Sequence, residues 1–129
     1  MITVVKRFEF CYGHNLPDYA GLCRNLHGHN AVVEVEVGKF LDVKGGGNEY
    51  PGMVIDFSIL KKIVAPILEK LDHQLLNIVL PAEYLPPTAE NIVMWLAEQI
   101  KEGLREWEGR ELVRVSVSET PNSWAIWKA

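Results

Sequence analysis

"HNAVVEVEVGKF" (residues 29–40) sets Val33, Val35 and Val37 against Glu34 and Glu36 in a period of two, the pattern of a half-buried strand. Upstream, Ile2, Val4, Phe8 and Phe10 alternate with Thr3, Val5, Arg7 and Glu9, so residues 2–10 read as a second strand. The turn-rich "HNLPDYAGL" between them lets the two strands pair antiparallel, which would bring His14, just past one strand end, beside His27 and His29 at the start of the other. Farther along, Leu60, Ile63, Val64, Ile67, Leu68 and Leu71 recur at helical spacing behind Ser58 as cap, with Pro66 expected to kink or end the helix. Thr88, after Pro86 and Pro87, opens a cleaner helix that buries Ile92, Leu96, Ile100, Leu104 and Trp107 and stops near Gly109. Val113, Val115 and Val117 then alternate with Arg114, Ser116 and Ser118, and "TPNS" turns the chain into "WAIWK", a terminal hairpin. The expected fold is α+β: a four-stranded antiparallel sheet with two helices on one face.

Composition narrows what such a fold can do. The chain has 129 residues, 48% hydrophobic and 23% charged, which suits one domain over 1–129 with a single core. The three consecutive glycines of "DVKGGGNEYPG" (residues 42–52) read as a loop within that domain. A net charge of −4, with Lys and Arg scattered, argues against a nucleic-acid or membrane-surface partner. No apolar run reaches the roughly 18 residues of a spanning helix, and the first residues alternate instead of forming a leader, so a soluble, unprocessed protein is expected. Two cysteines without a sequon fit a reducing cytosol, although a Cys11 to Cys23 bridge is compatible with the count.

The candidate chemistry lies at the strand ends. Catalytic zinc commonly takes three protein ligands and leaves a position open, and residues i and i+2 of a strand project to one face. His27 and His29, with only Gly28 between them, and His14 from the neighbouring strand meet that count. Cys23 fits a fourth ligand that would close the site, a thiol kept free for proton transfer, or an inert buried thiol; spacing does not choose among them. In "LDHQLLN" (residues 71–77), Asp72 beside His73 suits either a proton relay or a simple helix end. Glu119 continues the parity of Val113, Val115 and Val117, so its carboxylate is expected on the apolar face, where a ligand's N–H groups would satisfy it; a solvated glutamate at a hairpin end is the plainer alternative.

Taken together, the Phe8 to His14 spacing, "CxxxHGH" (23–29), "MVIDF" (53–57), "LDHQLLN", "PTAEN" (87–91) and "SET" (118–120) resemble the 6-pyruvoyltetrahydropterin synthase family, which includes bacterial 6-carboxytetrahydropterin synthases. The resemblance spans nearly the whole chain. It implies zinc (Zn2+) on His14, His27 and His29, Cys23 as thiol base, Asp72 and His73 as relay, and Glu119 as the pterin anchor. It also implies the tunnelling fold, in which trimers close their sheets into a barrel and stack as a homohexamer in the cytoplasm. The implied substrate is 7,8-dihydroneopterin triphosphate, and the short chain resembles the carboxy-type enzymes of the queuosine (7-deazaguanine) pathway. The pyruvoyl-type synthase and a non-catalytic zinc-stabilised pterin-binding oligomer are the alternatives. One departure stands out: Cys11, Tyr12 and Gly13 precede the first histidine where the family often has small residues, which bears on the shape of the nearby pocket.

Overall fold

The computed structural model describes residues 1–40 and 50–129; the expected glycine-rich loop lies largely outside them. Strands β1 (Ile2–His14) and β2 (His27–Lys39) pair antiparallel along their full length, from Ile2 opposite Lys39 to His14 opposite His27. Both strands therefore run further than hydrophobic alternation suggests, and the histidines lie on the ladder itself. Helix α1 (Phe57–Glu69) leads to a two-residue strand β3 (Gln74–Leu75), the short helix α2 (Leu76–Val79) and the long helix α3 (Ala89–Leu104). Strands β4 (Glu111–Thr120) and β5 (Ser123–Lys128) form the terminal hairpin. The sheet order is β3-β1-β2-β4-β5, antiparallel except where β3 joins β1 in parallel. The α+β class is as expected, with five strands instead of four; β3 is too short to leave a period-two pattern.

One face of the sheet carries Phe10, Val33, Val35, Val37, Val115 and Val117, all buried, and α1 and α3 cover it with Leu60, Val64, Ile92, Leu96 and Ile100. Each such aliphatic side chain contributes roughly 1.5 to 3 kcal/mol on burial. The helices approach closely at Gly103, where an added Cβ would stand 2.5 Å from Ile63 Cγ2. None of the described helices is long and apolar enough to cross a membrane.

Three local expectations are corrected. The cap of α1 is Asp56, whose carboxylate accepts from the Ser58 N–H at 2.7 Å, because an ionised acceptor at the helix N-terminus also meets the helix dipole. Pro66 does not end α1, which continues to Glu69; it lies on the exposed face, where water can satisfy the carbonyl its missing N–H leaves free. Helix α3 stops at Leu104, short of Gly109, and the turns after it carry the chain to that glycine at φ 77°. Parity along β4 also departs from simple counting. A bulge opposite Glu36 and Val37 makes Val113 the extra residue, so Leu112 joins Val115 and Val117 inside. A second irregularity pairs Ser118 with Trp124 but Thr120 with Ser123, leaving Glu119 as the extra residue.

Candidate active site

The site grows out of the end of the core. On β1, Phe10, Tyr12 and His14 share the inner face, and on β2 the residues 27, 29, 31 and 33 continue it. Register therefore sets His14 opposite His27, with His29 opposite Tyr12. The three imidazoles meet at centroid distances of 4.5, 4.9 and 4.9 Å, and one nitrogen of each lies within 4.8 Å of the others.

The outer hydrogen bonds fix which nitrogen faces inward. His14 Nδ1 lies 2.7 Å from the Pro87 carbonyl and His27 Nδ1 lies 2.7 Å from the Asn25 carbonyl. A carbonyl oxygen only accepts, so both Nδ1 atoms carry the hydrogen, and in the neutral tautomer this selects it is Nε2 that offers a lone pair. His14 Nε2 faces His29 Nε2 at 3.0 Å. Burial, first of all, lowers the His14 pKa, with His27 and His29 acting in the same direction against the Pro87 carbonyl and Glu119. Neutral imidazoles with converging lone pairs are what a divalent cation requires, so this donor set fits a metal ion.

Around that cluster the remaining sequence candidates take distinct places. Glu119 Oε1 lies 3.9 Å from His14 Nε2, its side chain partly exposed. Backbone pairing between β2 and β4 reaches no further than Val33 and Val117; beyond it the Ser118 hydroxyl accepts from the Val32 N–H at 2.8 Å, and the bulge at Glu119 follows. Bulges re-aim side chains beside functional sites. Cys23 sits in a single 3-10 turn, Leu22–Arg24, free and half-buried, and it is not one of the cluster's ligand atoms. Cys11 is also free, so the two cysteines form no bridge.

Asp72 and His73 form one unit after α1. Asp72 Oδ1 accepts from the Cys11 N–H at 2.9 Å while its Oδ2 lies 2.9 Å from His73 Nδ1. The Cys11 N–H first, and His73 second, hold the Asp72 carboxyl below the ordinary carboxylate range. His73 has a φ of 58°, and its N–H donates to the Cys11 carbonyl at 2.6 Å. His73 also lines a cavity of about 570 Å3, with Tyr12, His27 and His29 among the other lining residues. Among the described residues lining that cavity, neither Cys23 nor Glu119 appears.

Sequence reasoning missed four participants. The Pro87 and Asn25 carbonyls orient ligands through backbone atoms, which leave no residue-type signal. Asn77 clamps the loop after His14, accepting from the Asn15 N–H at 3.0 Å and donating to its carbonyl at 2.9 Å. Tyr12 is 3% exposed, its ring 5.1 Å from His14 and 5.4 Å from His29. Burial, and then Glu119, push its phenol pKa upward, so the O–H remains a donor. Its parity with Phe10 and His14 was the available signal.

The 6-pyruvoyl tetrahydropterin synthase family matches residues 3–129. The chain belongs to that family. A 6-carboxy-5,6,7,8-tetrahydropterin synthase from Synechocystis sp. is 40% identical over 103 residues, 79% of this chain and 77% of that one. A dihydroneopterin monophosphate aldolase from Pyrococcus furiosus is 36% identical over 95 residues, 67% of this chain and 73% of that one. Among solved structures, the Caenorhabditis elegans 6-pyruvoyl tetrahydropterin synthase superposes with a TM-score of 0.81 at 26% identity, covering 99% of this chain and 95% of that one. The five-stranded sheet backed by helices is thus the tunnelling fold of this family.

Proposed function

We propose that this chain is a zinc-dependent 6-carboxy-5,6,7,8-tetrahydropterin synthase, a lyase acting on 7,8-dihydroneopterin triphosphate in the queuosine pathway. The observation that carries the reading is the three-histidine cluster, one nitrogen of each ring lying within 4.8 Å of the others, with Glu119 Oε1 3.9 Å from His14 Nε2. The Synechocystis relative, similar over most of both chains, supports the carboxy-type product.

In this reading His14, His27 and His29 would hold zinc, which would supply Lewis-acid chemistry at the substrate's side-chain hydroxyls. Glu119 accepts the amino and ring N–H groups of the pterin and fixes its orientation. Cys23, as thiolate, removes a proton from the side chain. His73 donates Nδ1–H to Asp72, which leaves Nε2 free to take up and return a second proton. Triphosphate departs, and cleavage of the side chain releases acetaldehyde. The family resemblance supports reading the working unit as a homohexamer of two stacked trimers with active sites at subunit interfaces. Free thiols at Cys11 and Cys23 suit the cytoplasm.

The pyruvoyl-type reaction, which keeps the side-chain carbons, is the second reading, favoured by the Caenorhabditis elegans neighbour. Incubating the zinc-loaded protein with 7,8-dihydroneopterin triphosphate and identifying products by mass spectrometry separates them. Acetaldehyde with a 6-carboxypterin supports the first, a 6-pyruvoyl product the second. Tight pterin binding without turnover would leave a binding oligomer.

A further inference from the structure

We propose that Tyr12 is a positioning residue for the pterin anchor: its buried hydroxyl is the donor that holds the Glu119 carboxylate once a pterin is bound. The inference rests on the reading of Glu119 given above. Among the described residues, the Tyr12 hydroxyl is the buried side-chain polar atom without a hydrogen-bond partner. Leaving a buried donor unmade costs stability, so such an atom calls for a state in which it is satisfied. Tyr12 lies on the inner face of β1 between Phe10 and His14, and its ring packs against two of the three histidines. The complementary acceptor belongs to another neighbour of the His14 ring. Glu119 Oε1 lies 3.9 Å from His14 Nε2, on the ring that Tyr12 also packs against, yet no described residue donates a hydrogen bond to its carboxylate.

An ionised carboxylate offers about four lone-pair sites. Two pterin N–H groups would occupy one edge, and the opposite edge then needs a donor to keep the charge satisfied as the ligand excludes water. A phenol is rigid beyond two torsions and stays neutral, so it supplies that donor without adding charge to the metal cluster.

The test is a double-mutant cycle on the zinc-loaded protein, titrated with 7,8-dihydroneopterin by calorimetry: wild type, Tyr12→Phe, Glu119→Gln and the double variant. Tyr12→Phe is expected to weaken binding about tenfold in the wild-type background and less than about twofold beside Glu119→Gln. The ligand-free Tyr12→Phe protein, relieved of an unsatisfied hydroxyl, is expected to keep its zinc and to melt a few degrees higher than wild type. Unchanged affinity, an equal loss in both backgrounds, or a lower melting temperature would each overturn the assignment of Tyr12 alone. Failure of the wild type to bind dihydroneopterin would instead overturn the proposed function, and this inference with it.

Discussion

His27 and His29 share a cavity with His73, yet the two sides of that cavity are held in different ways. The ligand cluster extends the core: His14 is 1% exposed, follows Phe10 and Tyr12 along one strand face, and is oriented by the carbonyl just before the cap of α3. The other wall is a turn. The His73 side chain is 77% exposed, and what places it is a left-handed φ, the bond from its own N–H to the Cys11 carbonyl, and the bond from the Cys11 N–H to the neighbouring Asp72 carboxylate. A residue other than glycine in that region costs roughly 1 to 2 kcal/mol, which the strand pairing of β3 with β1 offsets. The geometry of the three histidines is therefore inherited from sheet packing, whereas Asp72 and His73, the proposed proton-handling pair, are attached to it and can be altered without disturbing the core.

The comparison breaks most readily at His14. His14→Ala removes a ligand and a buried ring and leaves the Pro87 carbonyl unsatisfied, so it should lose nearly all zinc and about 2 to 4 kcal/mol of stability. His27→Ala, at a half-buried position, should lose the zinc with a much smaller stability change. Metal analysis and denaturant melts of both variants check this; full zinc retention in either would remove the metal assignment. Cys23→Ala tests the other extreme. As a proton-transfer thiol outside the cluster it should keep its zinc while turnover falls about 100-fold or more, and loss of zinc together with activity would make Cys23 a ligand.

Glu119 sits between the two regimes, beside His14 but on a bulge. Glu119→Gln keeps the size of the side chain and turns one acceptor into a donor facing the pterin's own donors. Pterin affinity should fall by about two orders of magnitude at unchanged zinc content, read by calorimetry with 7,8-dihydroneopterin. A glutamate that is merely solvated would give no change.

What the sequence discloses follows the same division. Strand parity and the HxH spacing locate the ligand cluster because both depend on side-chain periodicity, and the sheet preserves it from Phe10 to His14 and from Val37 to His27. Parity fails where backbone irregularity intervenes: counting from Val113 places the wrong residue inside, since the bulge hands that position to Leu112. Glu119 reaches the histidines from a bulge of its own, an arrangement that alternation alone does not disclose. The cap of α1 was legible only to within two residues, because Asp56 and Ser58 are both good caps and only the hydrogen bond distinguishes them. Nothing in "LDHQ" announces a parallel two-residue strand, yet that strand aims His73.

The smallest expected effect concerns the exposed wall, where Asp72 joins Cys11 to His73. Its carboxyl is held below the ordinary range by the Cys11 N–H and by His73, so the folded state binds a proton less readily than the unfolded chain. A group depressed in this way adds stability that is fully present above its unfolded pKa of about 3.9 and is lost as the pH falls through its lower folded value. Asp72→Asn retains an oxygen to accept from Cys11 but has no charge to titrate or to hold His73. With chelator present, so that metal release adds nothing to the profile, the Asn variant should melt slightly below wild type at pH 7. The two curves should converge as the pH falls below about 4. An offset that persists across the whole range would mean that Asp72 acts through shape and not through ionisation. Turnover should drop at neutral pH regardless, because His73 then lacks the carboxylate that fixes its tautomer.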